Sequence, residues 1–195
     1  MKQFKYFLLG IFGFMLCAAN TIENKYILAT GYTVTISGTS NFHDWDEKVG
    51  TVTGDAVINW NGDKSFDLAA INIKMDVHSI KSNEGSAMNN NTYKALKADA
   101  NPEIIFVLNT PISVTPNSSI NTFSAKGKLT IAGVTKPVQM QVKLSMQGKD
   151  KLIFEGSQTI KMTDYGVNPP TALFGTLKTG DDIVISFKTS FVTNN

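Results

Sequence analysis

Val138-Gln139-Met140-Gln141-Val142-Lys143-Leu144-Ser145-Met146 alternates apolar and polar side chains without a break. Successive side chains of an extended chain point to opposite faces, so the stretch puts five apolar groups on one face and four polar groups on the other. A helix would scatter the same residues around its axis. The stretch reads as a half-buried β-strand, and its apolar face needs a cover.

The same period runs outward in both directions. Leu152, Phe154, Ile160 and Met162 stand in phase against Lys151, Glu155, Thr159 and Lys161, and Ile183, Ile185, Phe187 and Phe191 repeat the pattern near the end. Upstream, Ile71, Ile73, Met75 and Val77 alternate with Asn72, Lys74 and Asp76, and Val52, Ala56, Ile58 and Trp60 with Thr51, Thr53, Asp55 and Asn59. Eight strands are expected, over roughly 31–40, 51–60, 66–77, 104–113, 121–131, 136–147, 151–162 and 182–192. Asn61-Gly62-Asp63, Ala132-Gly133 and Gly148-Lys149-Asp150 supply tight connections, which imply an up-and-down antiparallel meander.

Two segments break the alternation. Met88, Tyr93, Ala95 and Leu96 fall near helical spacing and predict one short helix, stopped before Asn101-Pro102. Residues 163–181 form a Gly-, Pro- and Thr-rich loop that nevertheless carries Tyr165, Leu173, Phe174 and Leu177, as a lid or pocket wall would. The expected fold is all-β: an eight-stranded antiparallel up-and-down barrel with one short helix and a long lid-like loop. Closure hides one face of every strand and leaves no sheet edge. A two-sheet sandwich is the rival, disfavoured by the length and meander connection of the strands.

Alternation does not say which face is inside. A barrel facing lipid carries aromatic girdles and a polar lumen. Here the aromatics are scattered, and Lys143, Lys151, Lys161 and Lys188 occupy the polar face, where bulk water suits them. The apolar residues therefore point inward, and stable membrane insertion is not expected. The interior set includes Ile71, Ile73, Met75, Leu129, Ile131, Met140, Val142, Leu144, Met146, Phe154, Ile185 and Phe187. Such a set reads first as a filled core. Three inward methionines, whose thioethers adapt to flexible guests, together with a helix and loop able to cover a barrel mouth, favour a tunnel for an apolar ligand.

The first 19 residues stand apart. Lys2 and Lys5 precede an apolar run from Phe7 to Leu16, and Cys17-Ala18-Ala19 follows, the pattern of a cleaved secretory leader. The run is about half of the ~20 residues a spanning helix needs. Lipidation at Cys17 is the weaker reading, because Leu16 occupies the position where a lipobox has a small residue. Export to the periplasm is expected, with residues 20–195 as one domain. Of the 18 basic residues, all lysine, two leave with the leader, and the remaining 16 match the 16 acids. The absence of arginine and of net charge argues against nucleic-acid recognition, and the mature chain would hold no cysteine for bridges or thiolate chemistry.

Candidate chemistry is sparse. Ser40-Asn41-Phe42-His43-Asp44-Trp45-Asp46-Glu47 is the densest polar cluster. His43 beside three acids could act as a base or a metal ligand. The competing reading is a rim loop whose aspartates cap turns and whose histidine bonds to backbone. His78, near Asp76, would join His43 only if two strand ends converge. No nucleophile elbow, zinc-protease pair, phosphate loop or dinucleotide fingerprint occurs, so no cofactor and no enzyme are expected. Ser37-Gly38-Thr39-Ser40 reads as a bulge.

The chain resembles the YceI-like family of exported, polyisoprenoid-binding bacterial proteins. The resemblance rests on Ser40 to His43, on Asn101-Pro102-Glu103-Ile104-Ile105-Phe106 and, most specifically, on Gly127-Lys128-Leu129-Thr130-Ile131-Ala132-Gly133-Val134-Thr135-Lys136-Pro137-Val138. It continues through Thr163-Asp164-Tyr165-Gly166-Val167 and Gly180-Asp181-Asp182-Ile183-Val184-Ile185. It implies a lipocalin-like barrel that encloses an elongated isoprenoid or other amphiphilic lipid and acts by binding rather than catalysis. On this reading Met75, Phe106, Leu129, Met140, Val142, Leu144, Phe154, Ile185 and Phe187 line the tunnel, and His43 and Tyr165 meet the polar end of the ligand. A homodimer is compatible with the sequence. Where the family's helix usually carries an Arg-Asp pair, this chain has Ser86-Ala87-Met88-Asn89.

Overall fold

The computed structural model describes residues 24–116 and 120–194. The leader expected over 1–19 lies outside the described residues. In chain order the strands are β1 (Asn24–Leu28), β2 (Thr33–Ser40), β3 (Trp45–Val49), β4 (Val52–Trp60), β5 (Phe66–Asp76) and β6 (Ile80–Ser82). Helix α1 (Ser86–Leu96) follows, then β7 (Glu103–Leu108), β8 (Ile112–Val114), β9 (Ile120–Ile131), β10 (Val134–Gln147), β11 (Lys151–Lys161), β12 (Thr171–Ala172) and β13 (Leu177–Thr193).

The antiparallel order β1-β4-β5-β7-β9-β10-β11-β13 closes on itself through β1 against β13, from Tyr26↔Thr193 to Leu28↔Phe191, and makes an eight-stranded barrel. The first stave comes in two pieces. The lower piece, β1, closes the ring. Gly31, at φ 85°, turns the chain, and β2 continues along the upper edge of the same β13. There β2 pairs with β3, and β3 with β6, so the upper wall is a short flap to which α1 is attached.

Several expectations need correction. The strand expected at 104–113 is interrupted after Leu108 and resumes as β8 along the same β5 (Phe66↔Val114), with residues 108–111 set against 69–71, one in surplus. Pro111 stands at the break and has no N–H to give a ladder. The short helix expected ahead of Asn101-Pro102 is present as α1 and ends at Leu96, where Lys97 takes a left-handed conformation (φ 53°) and turns its N–H back to Lys94 and Tyr93. The bulge expected over 37–40 lies in the partner strand: between Ser40↔Thr179 and Gly38↔Ile183, residues 180–182 of β13 face Thr39 alone, two in surplus. The cluster 40–47, for which a rim loop was one reading, is a turn only up to Asp44 and passes into strand β3 at Trp45.

The two ends of the barrel differ. Tyr26, Ile58, Phe66, Leu68, Leu144, Leu152 and Phe191 are fully buried and fill the lower end. Trp60 Nε1 donates to the Tyr26 hydroxyl at 2.9 Å, and that hydroxyl donates to the Lys149 carbonyl at 2.6 Å, tying β1, β4 and the β10–β11 hairpin together. Burial raises the Tyr26 phenol above its ordinary range, with the Trp60 bond partly opposing the shift. Toward the other end the wall loosens. β10 and β11 pair from Val142↔Gly156 down to Gln147↔Lys151 and part above that point.

Candidate functional site

Above the filled end lie two cavities, stacked along the barrel axis. The lower one, about 90 Å³, is bounded by inward residues of β2, β5, β7, β9, β10, β11 and β13. The upper one, about 250 Å³, is bounded by the β2–β3 flap, α1 and the segment 165–172. Two-residue steps along the strands carry one wall into the other, from Phe106 to Ile104, from Leu129 to Ile131 and from Val34 to Ile36, and Ile185 belongs to both. Apart from Gln158 and Thr189, every residue of the lower wall is apolar.

Glycine keeps the lower cavity open. A Cβ on Gly127 would stand 2.3 Å from Cε2 of Phe106, and one on Gly156 would stand 2.9 Å from Cζ of Phe187. Each ring lies on bare backbone of the neighbouring strand rather than across the lumen.

The helix contributes one face. Ala87, Met88, Asn91, Thr92, Ala95 and Leu96 recur at helical spacing and all border the upper cavity. The segment expected as a lid is ordered into a 3-10 turn (Thr163–Tyr165) and β12, which pairs with Leu177 and Lys178. Thr163 anchors it, its N–H at 2.9 Å and its hydroxyl at 2.6 Å from the Asp181 carboxylate. These bonds hold that carboxyl below the usual carboxylate range. Tyr165, Val167, Thr171 and Leu177 of this segment border the cavity, whereas Phe174 is turned to solvent.

Of the expected site residues, Met75, Phe106, Leu129, Met140, Val142, Phe154 and Phe187 border the lower cavity, and Ile185 borders both. His43 and Tyr165 border the upper one. Leu144 borders neither. It is fully buried in the filled end, opposite Phe154. Alternation had fixed its face but not its depth.

The polar cluster of the mouth is largely a turn. The Ser40 hydroxyl donates to the His43 carbonyl at 2.7 Å and accepts the His43 N–H at 3.0 Å, and the Asn41 side chain bridges to the backbone of Thr176 and Lys178. Ser40 and Asn41, rather than the aspartates, hold the chain reversal. The His43 ring donates from Nδ1 to the Asp44 carbonyl at 2.7 Å and stands 3.7 Å from Glu84. His78 lies elsewhere, 3.6 Å from Asp99 and against the Tyr93 ring. No group of three or more His, Cys, Asp or Glu able to hold a metal ion is found among the described residues.

Sequence reasoning named Glu47 only as one acid of the cluster and gave it no inward place. On β3 it takes the inward phase between Trp45 and Val49, pairs across to Ile36 and Ser82, and is only 2% exposed. Thr92 of α1 donates to its Oε1 at 2.8 Å. Burial pushes the carboxyl above its ordinary range, Glu84 and Asp46 push it further, and the Thr92 bond partly offsets both. The available signal was the two-residue step Trp45, Glu47, Val49, with an acid at the middle inward position.

Fold and site together define a class: a closed antiparallel barrel, filled at one end and hollow at the other, with a helix along its mouth. The chain belongs to the YceI-like domain family, whose family model matches residues 27–191. A UPF0312 protein of Pseudomonas savastanoi pv. phaseolicola is 30% identical over 141 residues, 67% of this chain and 69% of that protein. Among solved structures, a polyisoprenoid binding domain from Saccharophagus degradans superposes with a TM-score of 0.69 at 11% identity, over 88% of this chain and 99% of that one. BcnA of Burkholderia cenocepacia gives 0.62 at 19% identity, over 82% and 95%. Both are likenesses of fold.

Proposed function

We propose that this protein is an exported carrier that encloses the chain of an elongated amphiphile, isoprenoid-like in shape, within its barrel. The observation that carries the reading is the pair of stacked cavities, apolar below and partly polar above, closed beneath by the Tyr26–Trp60 plug. A molecule fitting that gradient has an apolar tail and one polar head. Tail burial contributes about 25 cal/mol per Å² of apolar surface removed from water, less the cost of ordering a flexible chain. Binding rather than catalysis agrees with the mouth chemistry, where the His43 ring is engaged with the Asp44 carbonyl. The structurally similar Saccharophagus degradans domain is a polyisoprenoid binding domain, which supports the ligand class proposed here. Periplasmic release rests on Lys2, Lys5 and the apolar run that ends before Ala19.

Native mass spectrometry of gently purified mature protein, followed by solvent extraction, tests the reading. A stoichiometric apolar adduct is expected. An adduct-free mass combined with no uptake from a panel of long-chain amphiphiles would overturn it.

A further inference from the structure

The polar side of the upper cavity is chemically one-sided. Glu47, 2% exposed, borders it and among the described residues receives a single hydrogen bond, on Oε1 from Thr92. Glu84 is a second carboxyl on the same wall, and Asp46 directly precedes Glu47 in sequence and adds its charge nearby. Asn91 adds an amide from α1. The ionisable groups bordering the cavity among the described residues are Glu47, Glu84, His43 and Tyr165, with no lysine among them, and the chain has no arginine. No ion pair reaches Glu47 among the described residues. His43 is at the rim, beside Glu84.

An anionic head entering this space would lose its water, meet two carboxyls and find no fixed cation to replace the lost solvation. A head with O–H or N–H groups would meet acceptors instead. The free lone pairs of Glu47 lie where the apolar wall gives way to polar atoms, the place where the head of a tail-down amphiphile comes to rest.

We infer that the upper cavity is a head-group site for an amphiphile whose head donates hydrogen bonds and bears no negative charge, an alcohol or an amine, with Glu47 as the principal acceptor. The inference rests on the carrier reading and narrows it, because it excludes phosphate and diphosphate heads on the same chain. Glu47 is a selectivity residue here, acting on which head is admitted rather than on how the tail is held.

Three probes sharing one diterpenoid chain test it: geranylgeraniol, geranylgeranylamine and geranylgeranyl diphosphate, each displacing a fluorescent naphthylamine from the full mature protein at neutral pH. The alcohol and the amine are expected to displace the dye, with the diphosphate at least about tenfold weaker, since like charges brought together at a desolvated contact cost more than 1.4 kcal/mol. In Glu47→Gln, nearly isosteric, the diphosphate deficit shrinks by about threefold or more while the alcohol holds within about twofold. Glu84→Gln, at a half-exposed position, shifts the same ratio in the same direction and serves if the first variant folds poorly. Diphosphate binding as tight as that of the alcohol in the unaltered protein overturns the head-group assignment and leaves the carrier reading standing. Failure of all three probes to displace the dye overturns both.

Discussion

Replacing Gly127 by alanine should be costly out of proportion to the one carbon it adds. The new Cβ would sit 2.3 Å and 2.5 Å from Cε2 and Cζ of Phe106 and 2.7 Å from the Val107 carbonyl oxygen. The ring can respond only by leaving its seat, and the free space beside it is the lower cavity of about 90 Å³. The carbonyl belongs to the paired strand β7 and can move only if the β7–β9 ladder widens. Overpacking of this kind costs ~1–3 kcal/mol, and backbone involvement places it near the middle or above, about 2 kcal/mol. With a urea slope of ~2 kcal/mol/M, the unfolding midpoint should fall by about 1 M. Ligand uptake should fall with it, because the displaced ring now occupies the lumen. The double variant Gly127→Ala/Phe106→Leu removes the obstructing ring and should recover part of both losses, a coupling of ~0.5–3 kcal/mol. Equilibrium urea unfolding followed by circular dichroism reads the stability, and dye displacement reads the uptake. A wild-type midpoint for the single variant, or strictly additive effects in the double, would refute the idea that glycine seats keep the lumen open.

Depth along the barrel gives a second pair of expectations. Met140→Trp, at the lower cavity wall beside the gap between β10 and β11, should abolish uptake in a protein that still unfolds cooperatively. Leu144→Ala, in the filled end, should cost ~2–5 kcal/mol and leave affinity for the probe nearly unchanged; equal loss of uptake in the two variants would contradict the two-part interior. Tyr26→Phe deprives Trp60 Nε1 of its acceptor and the Lys149 carbonyl of its donor, and should lower stability by ~1–3 kcal/mol in a urea titration. The pH dependence should carry the mark of Glu47. Its folded-state carboxyl lies above the ordinary glutamate value of 4.5, so the native state holds its proton longer than the unfolded chain. Its contribution to stability is full below that value and is lost as pH rises through the folded one. Relative to Glu47→Gln, the unaltered protein should therefore lose stability across that window, and parallel curves for the two proteins would disprove the shift.

What the sequence could yield was set by what alternation reports. The strands β9 to β11 and β13 are long, and their inward residues are apolar throughout, so face and register period follow directly. β3 escaped because its inward middle position is Glu47, which makes Trp45–Val49 look like an acidic loop. β1 was missed altogether, since the expected first strand began only at residue 31, and the interruption at Pro111 between β7 and β8 was smoothed into one continuous strand. Depth was illegible for a different reason. Leu144 and Val142 are adjacent inward residues in one strand, yet one lies in the filled end and the other borders a cavity. The boundary between them is drawn by Tyr26, Trp60, Phe66 and Phe191, residues far apart in the chain that meet only after closure. The site was legible in its apolar part and not in its acid, since a buried carboxyl depends on Thr92 from a helix whose placement the sequence does not give.

The two tryptophans of the chain fall at opposite ends of this interior. Trp45 borders the upper cavity and lies against the backbone of Gly38, and Trp60 sits in the lower plug under the Lys149 ammonium, 5.3 Å from its ring centroid. The protein thus carries its own pair of optical labels. A Trp60→Phe variant leaves an indole whose emission should follow the polarity of the mouth as it fills and empties. A Trp45→Phe variant leaves one that should stay silent through that cycle and change colour only when the barrel comes apart, so occupancy and unfolding can be read as separate signals from unlabelled material.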